Sequence, residues 1–196
     1  VQDAYTNNYT DYLDTIPHLF YYNAFLILSN GTEAKVGTLG SKYEFFHEWK
    51  RLSEQEQGSV ALETMLRGIC KKENFLDLLE NFILFDHSGG HTAKILARNH
   101  QYLGVNEAIK AYEARKLNNG KLGVFWHTQG SGKSYSMVFL AQKIRRKFSG
   151  SPTIVILTDR DELNTQISDT FENCGILGKA KASQFIASSG DDLIDK

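Results

Sequence analysis

Seven consecutive residues, Thr128-Gln129-Gly130-Ser131-Gly132-Lys133-Ser134, combine the residue types that bind a phosphate chain. Glycines at 130 and 132 let the backbone come close to phosphate oxygens and take positive φ where a tight loop needs it. Successive N–H groups then converge, and a helix starting near Gly132 adds its positive dipole end. Lys133 is placed to reach the β- and γ-phosphates, which makes it the side chain of catalytic type. The Ser134 hydroxyl is placed to ligate Mg²⁺. The full pattern G-x-x-x-x-G-K-[ST] also asks for glycine at 127, where this chain has His127. The flanks supply context: Lys121 to Trp126 reads as a short apolar strand before the loop, and a helix from about Lys133 to Phe148 follows it. ATP with Mg²⁺ is the cofactor this pattern predicts. A chance Gly-Lys-Ser at a helix start is the weaker account.

Other candidates carry less. Four apolar residues before Asp86 imitate a strand ending in a Mg²⁺-holding acid, but the position precedes the phosphate loop and leads into a turn. His87 and His91 are four apart, yet Ser88-Gly89-Gly90 between them forbids the helix that would align them on a metal. Polar turn residues are the better account of all three. Cys70 and Cys174 are far apart and show no metal spacing, which suits structural thiols in a reducing, cytoplasmic setting. Lys143, Arg145, Arg146 and Lys147 crowd the end of the helix after the loop. Favourable interaction with the helix dipole explains them more simply than DNA backbone contact does.

The elements that must position the loop follow from periodicity and turn signals. Residues 1–15 form a polar, loose or helical entry. Leu19 to Leu28 is an apolar run ending at Ser29-Asn30-Gly31-Thr32, a hairpin signal in which both central residues accept positive φ. The strand from Glu33 to Leu39 returns with Ala34, Val36 and Thr38 on one face. Phe45, Phe46, Trp49 and Leu52 have helical spacing, and core packing is the preferred reading of those aromatics. Two short helices are predicted at Val60 to Ile69 and Glu73 to Leu79, then a hairpin from strands 82–86 and 92–97. A longer helix spans Arg98 to Arg115, with Leu103, Ala108, Ile109 and Tyr112 able to share a face. Beyond the loop helix, Thr153 to Thr158 reads as a buried parallel strand. A helix opening at Asp159 and carrying Leu163, Ile167 and Phe171 follows, and one more short element is possible around Gln184 to Ala187. Strand, loop, helix, strand, helix argues for an α/β fold with a parallel sheet.

The 196 residues have ordinary globular proportions, 41% hydrophobic and 23% charged. A formal net charge of −1 leaves no global basic field, so any nucleic-acid contact has to be local. No apolar run reaches membrane-spanning length, and the beginning lacks a signal-peptide pattern. A start at Val1 and a polar tail suggest an excerpt from something longer.

Three runs together bring a family into view. Phe125-Trp126-His127-Thr128-Gln129-Gly130-Ser131-Gly132-Lys133-Ser134 resembles motif I in the restriction (R) subunit of type I restriction-modification enzymes, where His at the first glycine position is common. Leu157-Thr158-Asp159-Arg160-Asp161-Glu162-Leu163-Asn164-Thr165-Gln166 looks like motif Ia, which in superfamily 2 motors faces DNA and implies a backbone contact for Arg160. Ala97-Arg98-Asn99-His100-Gln101-Tyr102 looks like the Q-motif region, which implies that Gln101 reads the adenine edge. An amide suits that task because it donates and accepts. Ile16 to Asn23 and Gly37-Thr38-Leu39 are similar to the segment these subunits carry after their nuclease acids.

The resemblance implies a partial RecA-like P-loop domain at 81–196, preceded at 1–80 by an α+β segment from the end of a nuclease domain and a connecting stretch. It implies an ATP-dependent, DNA-translocating, site-specific deoxyribonuclease acting on double-stranded DNA with methyltransferase (M) and specificity (S) subunits, in the cytoplasm and without a membrane. The family's nuclease Asp and Glu-x-Lys are expected upstream, since Glu33-Ala34-Lys35 sits beside a hairpin turn. The motif II acid and the second motor domain are expected downstream, since Asp161-Glu162 opens a helix. This piece alone is then expected to be inactive. Two rivals are a small phosphotransferase using the same loop, whose lid and arginine cluster are not evident, and a non-catalytic interaction fragment with a vestigial loop.

Overall fold

Two antiparallel hairpins and the helices packed on them build the structure, a computed structural model that describes residues 1–195. The chain enters through one π-helical stretch at Ala4–Tyr9 that runs straight into α1 (Thr10–Thr15), as the polar entry allowed. Strands β1 (Leu26–Ser29) and β2 (Ala34–Gly37) pair with Leu26 opposite Gly37 and Ser29 opposite Ala34. The connection is four residues long, and only Gly31 in it has positive φ, at 96°. Asn30 instead uses its side chain: Oδ1 accepts from the N–H groups of Thr32 (3.1 Å) and Glu33 (2.8 Å). That Asx turn satisfies the loop backbone, so a second positive φ is not needed. Ala34, Val36 and Thr38 are buried as alternation predicted. The Thr38 hydroxyl donates to the Lys94 carbonyl at 2.6 Å, tying the first hairpin to the second.

The helix expected at 43–52 does not form. A single 3₁₀ turn at Tyr43–Phe45 leads into extended backbone, and His47 pairs with Val36 through N–H···O bonds of 2.8 and 2.9 Å. The free edge of β2 supplies partners that a local helix would have supplied internally, so tertiary pairing overrides the helical spacing. Phe46 and Trp49 are buried, whereas Phe45 is exposed.

Helices α2 (Leu62–Ile69) and α3 (Lys72–Asn81) precede strands β3 (Ile83–Asp86) and β4 (Ala93–Leu96), which pair from Ile83–Leu96 to Asp86–Ala93. Then come α4 (Asn99–Glu113), α5 (Lys133–Lys147), α6 (Asp161–Asn173) and the short α7 (Gly190–Asp195), with a 3₁₀ turn at Ala182–Gln184. One apolar cluster joins Trp49, Met65, Phe82 and Leu84 to Val105, Phe139, Ile167 and Phe171, drawing side chains from both sides of residue 80. Phe82 is its hub, with ring centroids 4.8 Å from Tyr102 and 5.6 Å from Phe139. Truncating either phenylalanine would cost about 3–5 kcal/mol.

The parallel sheet expected around the phosphate loop is not formed among the described residues. Segments 121–128 and 151–158 run without strand pairing, and Val124 and Leu157 are 94% and 95% exposed. Parallel strands are stable when helices cover both faces. Here Val138 and Phe139 of α5 and Ile167 and Phe171 of α6 pack into the cluster around the β3–β4 hairpin.

Two polar contacts fix α5. The Tyr135 hydroxyl donates to the buried Asp86 carboxylate, which also accepts from the Ser88 N–H at 2.8 Å. Lys143 Nζ donates to both Asp77 oxygens (2.5 and 2.6 Å) and to Asn106 Oδ1 (2.6 Å), linking α3, α4 and α5. Lys143 is therefore not a member of an exposed basic end. Of its neighbours, Arg145 donates to the Ile176 carbonyl at 2.9 Å and Lys147 pairs with Glu113 at 2.9 Å.

Candidate phosphate-binding site

The loop from Thr128 to Ser134 follows the exposed segment 121–126 and the half-buried His127, and runs into the first turn of α5. Gly132 is the N-cap of α5 with φ +83°, and a Cβ there would meet Gln101 Nε2 at 2.8 Å. Both the left-handed backbone and the close approach require glycine at that position. The first turn of α5 leaves N–H groups without intrahelical acceptors, which is the local condition for anion binding.

Lys133 is exposed and folds back over the loop, with Nζ donating to the carbonyls of His127 (3.0 Å) and Thr128 (2.9 Å). The ammonium is thus held above the loop by two carbonyls that solvent can hydrate if it swings to a phosphate. Thr128 also accepts from the Ser131 N–H at 3.3 Å. Gln129 and Gly130 are exposed, with Gly130 at φ +75°. The Ser131 hydroxyl oxygen is buried and has no hydrogen-bond partner, while Ser134 is half-buried on the first turn of α5. A position closed to a side chain at 132, with an ammonium and a hydroxyl beside it, has the kinds of group that a phosphate chain with Mg²⁺ requires.

The first turn of α4 carries the loop. Gln101 is 3% exposed; its Oε1 accepts from the Arg98 N–H at 2.8 Å and its Nε2 donates to the Gly132 carbonyl at 2.9 Å. His100 Nε2–H donates to the Ser131 carbonyl at 2.9 Å. His127 stands edge-on to His100 (centroids 4.8 Å, 85°) and against Phe125 (4.5 Å, 64°). Burial, then His100 and Lys133, hold the His127 imidazole below its usual pKa, so it is neutral at pH 7. Gly104 makes room for this packing, since a Cβ there would lie 2.5 Å from the Phe125 ring.

Arg160 is the residue that the loop does not gather. It precedes α6, is exposed, and its Nε lies 3.7 Å from Asp159. Sequence reasoning gave His100 and Gly104 no role. Their signal was the i, i+4 spacing on one helix face, visible only once Phe125 and His127 were known to lie against it.

Comparisons with known proteins bear on what this site belongs to. A family model described as SWI2/SNF2 ATPase matches residues 100–196, starting on the helix that holds the loop. The type I restriction enzyme HindI endonuclease subunit of Haemophilus influenzae is 39% identical over 176 residues, 85% of this chain and 17% of that subunit. The chain is a homologue of type I restriction endonuclease subunits. A Methanocaldococcus jannaschii protein provisionally described as the MjaIXP endonuclease subunit is 29% identical over 95% of this chain and 20% of its own length. A second from that organism, likewise described for MjaVIIIP, is 31% identical over 83% of this chain and 16% of its own length. The chain thus spans about a fifth or less of these relatives. Its match to the ATPase family model points to ATP use, and its secondary structure is mixed α/β with small antiparallel sheets. Among the described residues no helix is long and apolar enough to cross a membrane.

Proposed function

We propose that this chain carries the ATP-binding part of a type I restriction endonuclease subunit, in which ATP hydrolysis drives double-stranded DNA translocation before cleavage. The observation that carries it is the loop at 128–134, with the exposed Lys133 ammonium on two carbonyls and a helix N-terminus behind it. Its chain neighbourhood lies inside the matched ATPase region. Bound ATP–Mg²⁺ supplies the reactive γ-phosphoryl group. The protein's residues do the rest: Gly130 to Gly132 present N–H groups, Lys133 neutralises phosphate charge, and Ser134 offers its hydroxyl to the metal.

Gln101 is the proposed adenine reader. An amide both donates and accepts, the complement an adenine edge needs, and reading the base would require this buried side chain to turn from Arg98 and Gly132. Arg160, exposed at the start of α6, is the proposed DNA backbone contact. Residues 81–196 are proposed as the start of a RecA-like motor domain and 1–80 as the end of a nuclease domain with its connection. The exposed apolar segments around Val124 and Leu157 support a parallel sheet as their working environment. Partners on this reading are double-stranded DNA and the methyltransferase and specificity subunits.

The test is titration of the protein with a fluorescent ADP in Mg²⁺, beside the Lys133→Ala variant. Saturable binding that weakens at least about tenfold in the variant is expected. Equal affinity, or no binding by either protein, overturns the reading.

A further inference from the structure

We propose that His100 is a positioning residue for the phosphate loop, an inference that rests on the phosphate-binding reading above. Two consecutive residues of α4 seize two consecutive loop carbonyls: His100 Nε2–H holds Ser131 and Gln101 Nε2–H holds Gly132, each at 2.9 Å. In a trans peptide the C=O of one residue and the N–H of the next lie in one plane and point in opposite directions. Pulling the carbonyls of Ser131 and Gly132 toward α4 therefore aims the N–H groups of Gly132 and Lys133 away from it. Those are the donors at the start of α5, where an anion would be met. The carbonyl acceptor also settles the neutral tautomer, because only a protonated Nε2 can make the bond.

The ring does a second job. His127, standing where a glycine would be usual, leans its edge on the His100 ring and has a buried Nδ1 without a partner. A loop that began with glycine would have no such bearing surface. In this chain both His127, just ahead of the loop, and the carbonyl four residues on, at Ser131, are contacted by one side chain. His100 touches the loop and would not touch the phosphates, so it acts through the backbone it orients.

Two variants separate its parts. His100→Phe keeps a planar ring for His127 and removes the donor; His100→Gln places an amide N–H close to where Nε2 stood. Affinity for Mg²⁺–ADP and the backbone NMR order parameters of Gly132 and Lys133 would be measured on the intact protein. The Phe variant is expected to bind roughly fivefold to twentyfold more weakly, and the Gln variant within about threefold of wild type. Without nucleotide, the order parameters of the two amides are expected to fall in the Phe variant alone. Wild-type affinity and order parameters in His100→Phe, or equal losses in both variants, overturn the positioning role. Lack of Mg²⁺–ADP binding by wild type and Lys133→Ala alike overturns the phosphate-site reading instead, and the order parameters still judge His100.

Discussion

His47 makes the stability of this protein fall in mild acid. Its backbone pairs with Val36, and both of its ring nitrogens are buried without a hydrogen bond of good geometry, although they approach the backbone of Glu48 and Leu96. Burial, followed by the nearby Arg98 charge, lowers its pKa from 6.5 to about 4. The unfolded chain therefore binds a proton between pH 6.5 and 4 that the folded chain refuses. Stability is full above pH 6.5, declines as pH falls through that window, and levels off below it. A shift of about 2.5 units at 1.36 kcal/mol per unit gives roughly 3 kcal/mol in total, of which about 2 kcal/mol is lost by pH 5. His47→Leu, of similar volume, removes the ionisable group and keeps the backbone bridge. Urea denaturation followed by Trp49 fluorescence, at pH 8 and pH 5, would measure both proteins. The variant is expected to keep most of the stability that wild type loses, with a small residual slope from His127, whose pKa is also lowered. Parallel losses in the two proteins would refute the reasoning, as would a His47 ring resonance titrating near pH 6.5.

Two further perturbations probe the contacts that hold α5. Asp77→Ala would strand the Lys143 ammonium, whose side chain is 6% exposed and whose pKa burial already lowers; a loss of about 3–5 kcal/mol is expected in thermal or urea unfolding. Lys143→Met leaves only Asp77, which is 22% exposed and accepts from Asn81 and Asn106, so its cost is expected to be markedly smaller. Tyr135→Phe removes the hydroxyl that donates to Asp86. Burial works to raise that carboxyl, and the Tyr135 hydroxyl with the Ser88 N–H outweighs it and leaves the pKa below its usual value. A loss of about 1–3 kcal/mol at neutral pH is expected, measured by urea unfolding.

The sequence by itself determined the parts whose hydrogen bonds close locally. Helices α4, α5 and α6 lie close to where periodicity and breakers put them, and the loop at 128–134 is legible as a candidate phosphate site from residue type alone. The hairpins were also legible, because Asn30-Gly31 and Gly89-Gly90 mark turns between short apolar runs. Tertiary structure decided the rest, because strands and buried charges take their partners from distant residues. The helical spacing of Phe45, Phe46 and Trp49 lost to the open edge of β2. The apolar runs around Val124 and Leu157 read as parallel strands, yet α5 and α6 pack on the β3–β4 hairpin and leave both runs exposed. Lys143 looked like one more cation at a helix end until α3 brought Asp77 to it. His100 was one letter in a motif, and only the approach of α4 to the loop made it a donor to Ser131. A sequence states which groups can bind a phosphate; the packing of a neighbouring helix states which way they point.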